Sequence, residues 1–369
     1  MSESVFTKFR EKCKQEYLAF IEKMSSDFNQ SAKILERRTP VIRNLLKPHI
    51  MYLNKKLNAY TDIAAIDGAN TQTIKLFGHS IFSYSAVSVF RLPNGRCVFI
   101  PSINAQHKPN SEFNSLYPHL MRDIAELEMV LFAAKLSKTN GGPQIIEVDG
   151  SIIAFSLWMG RIKQAISRLE PTELIKKTYN KHFNIKDRNS LYNKVFSALK
   201  NKRIVYIPKE SYSKTYIDNY IKTHISLSLP RGISDLQLLH EILNNGEYIK
   251  PIPFQRVISG TTTSIGAKYA NDIMITYFKP HITGSRVIKI QFHKNHLNSL
   301  QTILRTISNN FNTEAQVPYY LAKAHFKAKS ILMPIYNIRE KVYKHSFENA
   351  TSLEERCILK HYFDLGRKL

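Results

Sequence analysis

Two short apolar runs in this chain end in the same pair, an aspartate followed by a glycine. They are Ile63-Ala64-Ala65-Ile66-Asp67-Gly68 and Ile145-Ile146-Glu147-Val148-Asp149-Gly150. Between them a helical stretch carries Glu128. Carboxylate oxygens are hard ligands, so three of them suit Mg²⁺ or Mn²⁺ rather than zinc. Two such ions about 4 Å apart would hold the attacking water and the leaving oxygen of a phosphodiester. Water activated in this way needs no dedicated protein base, and a basic side chain can then steady the charge that builds on phosphate. Lys209 and His325 are the candidates for that role. The plainer reading of each Asp-Gly is a tight turn after a strand, and a lone Lys or His is more often surface or structural. Two such pairs with an acid between them, in a compatible order of elements, favour the site. Glycine after each aspartate also lets backbone and phosphate approach closely.

The elements must bring the three acids to one place. Ile63 to Asp67 reads as a buried strand. His79 to Leu92 and Arg96 to Ile103 read as two more, joined at Pro93-Asn94-Gly95, a strong hairpin signal. Asn104 to Pro118 reads as a polar loop, Leu120 to Lys138 as a helix ended by Asn140-Gly141-Gly142-Pro143, and Gln144 to Asp149 as a strand. Along the helix each residue advances 100°, so Ile124, Leu127, Glu128 and Leu131 share a face. An acid within an apolar face is costly unless paired or metal-bound. Glu128 is therefore the expected ligand and Glu126 the expected solvent residue. Strand, hairpin, helix and strand in this order match an RNase H-like fold, α/β with a mixed sheet flanked by helices.

Composition agrees with a polyanionic partner. The chain has 53 Lys+Arg against 29 Asp+Glu, a formal net charge of +24, with 43% apolar residues. Such a balance favours nucleic acid or an anionic surface. Residues 61–150 are the one stretch that is not basic, with 7 basic and 8 acidic side chains. Cys13, Cys97 and Cys357 are far apart, which argues against a disulfide framework and a cysteine zinc site. The first residues lack a signal-peptide core, and no run of about 18 apolar residues occurs. A cytoplasmic protein with no membrane span is expected.

Elsewhere, Phe6, Phe9, Cys13, Tyr17, Phe20, Met24 and Phe28 recur at spacings of three and four. They predict an amphipathic helix over residues 4–30 that packs on its own domain or on a partner. Thr39-Pro40 should break it, with a second helix from Val41 to Leu57. Residues 1–60 read as an N-terminal helical segment, 61–335 as the core and 336–369 as a C-terminal helical tail. Past Gly150, helices are expected over Ile152–Leu169, Pro171–Lys200, Asp235–Leu243, Leu297–Ile307 and Tyr319–Leu332. Strands are expected over Arg203–Ile207, Ile273–Phe278 and Arg286–Phe292. Gly260-Thr261-Thr262-Thr263-Ser264-Ile265-Gly266-Ala267-Lys268 has the wrong spacing for a P-loop, so the chain should not hydrolyse ATP itself. No GxSxG motif occurs. His293 and His296 lack nearby ligands and read as surface.

Taken in order, these residues resemble the NurA nucleases. The likeness lies in Ala65-Ile66-Asp67-Gly68, in the helix with Arg122 and Glu128, and in Val148-Asp149-Gly150-Ser151. It continues in Ile207-Pro208-Lys209, Thr276-Tyr277-Phe278, Gly284-Ser285-Arg286-Val287-Ile288-Lys289 and Pro318-Tyr319-Tyr320-Leu321-Ala322-Lys323-Ala324-His325, over about residues 60 to 330. The resemblance implies a manganese-dependent single-strand endonuclease and 5′-to-3′ exonuclease. It implies a dimer that processes DNA ends with a HerA-like hexameric ATPase, in repair or in anti-phage defence. By the same resemblance Asp67, Glu128 and Asp149 match the metal-binding acids and His325 the C-terminal histidine. The family carries a further acid where this chain has Gln291, which offers one neutral oxygen and no charge. Two readings follow: a metal-dependent nuclease, or a DNA-binding adaptor of the translocase weakened or silenced by Gln291.

Overall fold

The structure is a computed structural model. It describes all residues except 1, 55, 77–78, 93, 110–115, 138–141, 153–172, 185, 209–215, 218–232, 255–270, 336–337, 358–359 and 361–369. Strands β2 (Ile63–Asn70), β6 (Ile145–Asp149) and β7 (Ile204–Ile207) lie side by side and parallel. Their largely apolar runs, interrupted in β6 by the buried Glu147, follow from burial on both faces, the usual condition of parallel strands. Strands β4 (His79–Arg91) and β5 (Cys97–Pro109) form an antiparallel hairpin against β2. The turn is the Asn94-Gly95 one, with Gly95 at φ 79°. The resulting order β5–β4–β2–β6–β7 is the RNase H-like core.

The same sheet continues past β7. Strand β11 (Ile288–His293) pairs β7, and β10 (Ile273–Phe278) pairs β11. Beyond them lie β8 (Glu247–Ile249), β9 (Ile252–Pro253) and β1 (Ile50–Tyr52), while β3 (Ile74–Leu76) pairs β4 at the other end. Among the described residues the sheet has 11 strands. A short ribbon of β12 (Phe311–Asn312) and β13 (Val317–Pro318) stands apart from it.

Helices cover both faces. On one lie α2 (Leu116–Leu136), α3 (Glu173–Phe183), α4 (Leu191–Asn201) and α5 (Asp235–Ile242), over a core that includes Ala64, Ile66, Ile146 and Val148. On the other lie α6 (Leu300–Asn309) and α7 (Tyr319–Leu332), over Ile63, Ala65, Ile145 and Val205. Alternate residues of β2 and β6 thus feed opposite cores, as the two-residue strand period requires. A further helix, α8 (Ile338–Glu348), follows α7.

Several expectations are corrected. Helix α1 runs unbroken from Ser2 to Leu46 through Pro40, and β1 replaces the expected helix end at Leu57. An internal proline costs about 3 kcal/mol. Here the segment beyond it buries Ile42 and Leu46 and pairs Arg43 with Glu247 at 2.7 Å, which offsets that cost. The Thr39 hydroxyl also donates to the Leu35 carbonyl at 2.9 Å. The outer part of α1 keeps Tyr17, Phe20 and Met24 exposed. Strand β5 extends to Pro109 through the expected loop because it pairs β4 along its whole length. The helix expected over 171–200 is two, α3 and α4, with Ser190 accepting from the Asn193 amide at the second N-terminus. His293 and His296 are buried and structural: His293 accepts from the Asn295 amide, and His296 bonds the Leu199 carbonyl. Nearly all of the helix expected over Ile152–Leu169, and all of Gly260–Lys268, lie outside the described residues.

Candidate metal centre

Register brings the two aspartates together. Ile66 of β2 sits beside Val148 of β6, so the next residues, Asp67 and Asp149, fall side by side with the same facing. Both continue the parity of Ile63, Ala65 and Ile145, the face covered by α7. His325 of α7 meets them there, with Nδ1 2.5 Å from Asp67 Oδ2. Asp67, Asp149 and His325 each offer one ligand atom, and these atoms lie within 4.8 Å of one another. Each aspartate is also steadied by the glycine after it: Gly68 N donates to Asp67 Oδ1 at 2.8 Å and Gly150 N to Asp149 Oδ1 at 2.9 Å.

The two glycines differ in kind. Gly68 lies inside β2, and the turn reading fails there. A Cβ on it would stand 3.0 Å from Glu126 Oε2 and 3.1 Å from Arg122 Cγ. Gly150 has open space around it but φ 93°, a left-handed conformation that favours glycine. One glycine makes room for helix α2, and the other turns the chain.

Glu126, not Glu128, lines this cleft. The cleft measures about 990 Å³ and contains Asp67, Glu126, Asp149, Ser151, Tyr206 and His325, with Arg122 and Lys329 as its cations. Burial, then Asp67, hold the Glu126 carboxyl well above its ordinary range; Arg122 opposes them, while Asp123 and Asp149 add to the rise. Arg122 is itself engaged with Asp123 at 2.6 Å.

Glu128 is exposed and lines a separate cavity of about 530 Å³ behind α2, with Lys135, Lys181, Lys194 and Lys202. Burial raises its carboxyl and Lys181 opposes the rise. Apolar periodicity misled because α2 is buried around much of its girth: Ile124, Ala125, Leu127, Met129, Val130, Ala133 and Ala134 are all buried. The usable signal was the i, i+4 pair Arg122 and Glu126, which lies over Gly68, the position of β2 that lacks a side chain.

Gln291 lies beside the cleft, fully buried on β11. Its side-chain amide meets the Ser151 hydroxyl, Nε2 donating at 2.9 Å and Oε1 accepting at 3.0 Å. Across the register from Gln291 stands Tyr206, which sequence reasoning did not single out. Its buried hydroxyl lines the cleft without a hydrogen-bond partner among the described residues, and burial, then Glu126, push its pKa up. Lys209 lies outside the described residues.

A family model described as the NurA domain matches residues 61–330. This chain belongs to the NurA nuclease family. The crystal structure of the NurA nuclease from Sulfolobus solfataricus is similar over 94% of this chain and 98% of its own, with TM-score 0.54 and 16% identity. A crystal structure of NurA bound to dAMP and manganese covers 84% of this NurA-family chain and 92% of its own, with TM-score 0.45 and 15% identity. Endonuclease V of Ciona intestinalis, in complex with DNA, covers 85% and 99%, with TM-score 0.37 and 13% identity. No curated protein matches the sequence. No described helix is long and apolar enough to cross a membrane.

Proposed function

We propose that this protein is a metal-dependent deoxyribonuclease whose chemistry takes place in the cleft between β2, β6, α2 and α7. One observation carries the reading: in a NurA-family chain, ligand atoms of Asp67, Asp149 and His325 converge within 4.8 Å. With Glu126 beside them they form three carboxylates and an imidazole, a donor set that fits Mn²⁺ or Mg²⁺. The fit is also electrostatic. Asp67 and Asp149 disfavour the charge of Glu126, and Arg122, which opposes them, is also engaged with Asp123; a dication would answer that excess of acids.

Asp67, Asp149, Glu126 and His325 would hold one or two ions. Bound there, such an ion would polarise the phosphodiester and make water more acidic. The chain's own residues set the scene for that. The Gly68 and Gly150 amides orient the two aspartates. His325 orients Asp67 through Nδ1 and carries a second nitrogen that this bond does not use. Lys329 and Arg122 place positive charge at the cleft wall, where charge develops on phosphate. Lys209 is proposed for the same role. Gln291 acts one step back, holding Ser151 beside Asp149 instead of supplying a charge.

The finer reading follows the family resemblance. We propose single-strand endonuclease and 5′-to-3′ exonuclease activity in the cytoplasm, on DNA ends, in repair or defence, with a HerA-like hexameric ATPase. The catalytic core is residues 61–335. The exposed apolar residues of α1 support a homodimer or partner contact through residues 1–60, with 336–369 as a tail. The second reading, a DNA-binding adaptor, rests on the neutral Gln291. Labelled single- and double-stranded DNA with Mn²⁺, Mg²⁺ or EDTA decides between them, beside Asp67→Ala and Asp149→Ala. The nuclease reading expects metal-dependent cutting that both substitutions abolish. Salt-sensitive binding without cutting, even with the ATPase present, favours the adaptor.

A further inference from the structure

Helix α7 has a second, exposed side. Its cleft side carries His325 and Lys329. Counting 100° per residue, Tyr319, Lys323, Phe326 and Lys327 form an adjacent stripe, with Phe326 about 60° from Lys329. Tyr319 is 41% and Phe326 74% exposed. Strand β5 adds Phe99, 39% exposed. The lysines stand against these rings: Lys323 Nζ is 4.4 Å from the Tyr319 ring centroid and Lys327 Nζ 5.9 Å from that of Phe99. No Asp or Glu occurs between Asp67 and Glu112, nor between Glu314 and Glu340. The segments that build this face, β4, β5 and α7, thus contain no carboxylate.

We propose that this stripe is the path of a single DNA strand into or out of the cleft, with bases stacked on Phe326, Tyr319 and Phe99 and phosphates on Lys323 and Lys327. The proposal rests on the nuclease reading of the neighbouring cleft. Aromatic rings hold unpaired bases of any sequence, and interleaved cations follow the backbone. The charge fits a polyanion and opposes another copy of this basic chain. Lysine is also depleted at protein interfaces. From Tyr319 to Phe326 the helix rises about 10 Å, room for a few nucleotides leading to His325.

The test is binding of fluorescein-labelled oligothymidylate to the full chain in EDTA, where no chemistry intrudes. Phe326→Ala should weaken binding about tenfold, Phe326→Trp should keep it, and a blunt duplex should show no such loss. Lys323→Ala and Lys327→Ala should each lower the salt slope by about 0.7. Phe326 is largely exposed, so its removal leaves the core intact, and an unchanged melting temperature checks this. Unchanged oligothymidylate binding in Phe326→Ala overturns the proposal. So does a change in sedimentation mass that alone accounts for the loss, since it makes the stripe a protein contact. Cutting with Mn²⁺ is measured separately: stacking-dependent binding without cutting removes the nuclease reading and leaves the stripe as a single-strand binding site that feeds no chemistry.

Discussion

Glu126 and Glu128 stand two residues apart on one helix and face opposite electrostatic worlds. Glu126 looks into a cleft of acids, where Asp67, Asp123 and Asp149 disfavour its charge. Glu128 looks into a cavity lined by Lys135, Lys181, Lys194 and Lys202. In the first, burial and acids outweigh the pull of Arg122; in the second, burial is opposed by Lys181. A third carboxylate, Glu247, marks the ordinary case. Burial alone would raise it, but the bonds from Arg43 and the Asn244 amide outweigh that and hold it below its usual range.

The contrast is broken most sharply by neutralising each acid of α2. Glu126→Gln should lower the metal-dependent cleavage rate by about a hundredfold or more, several kcal/mol of lost charge stabilisation, whereas Glu128→Gln should stay within about twofold. Initial rates on labelled single-stranded DNA measure both. Equal effects would end the distinction.

Metal binding sharpens it without chemistry. Mn²⁺ at about a hundred times its Kd should stabilise the fold by about 2.7 kcal/mol, read as a rise in melting temperature that EDTA reverses. Glu128→Gln should keep that rise, and Glu126→Gln should lose much of it.

The two glycines come next. Gly68→Ala pushes a methyl to within 3.0 Å of Glu126 Oε2. The carboxylate end can swing away, so about a tenfold loss of rate with little change in melting is expected. Gly150→Ala meets no atom but adopts φ 93°, so it should cost about 1–2 kcal/mol of stability as well as activity. A melting loss in the first and none in the second would reverse the assignment.

The smallest effect concerns Glu247. Its folded pKa lies below the unfolded value of about 4.3, so its contribution is complete above that pH and is lost as pH falls through the folded value. Acid unfolding of wild type beside Arg43→Met should show this as a difference of order 1 kcal/mol that fades below pH 4.

Much of the architecture was legible because it is local. Apolar runs marked β2, β6 and β7, Asn94-Gly95 marked the hairpin, and strand parity follows from the backbone alone. The aspartates were legible for the same reason, as the ends of two such runs. Pro40 reads as a helix breaker, but long-range packing of Ile42, Leu46 and Arg43 outweighs that local penalty. Strand β5 reads as shorter than it is because a polar edge strand carries no apolar period, only pairing to β4.

The sequence by itself determined the order of elements along the core, the two Asp-Gly ends, the family and the excess of positive charge. Only the tertiary structure decided which acid of α2 meets them and that His325, far along the chain, lands on Asp67. It also decided that Gln291 turns to Ser151. The physical reason is that a helix buried on several sides has no single apolar face to read. Its rotation is set by contacts across the sheet, here by the gap above Gly68 that Arg122 and Glu126 fill.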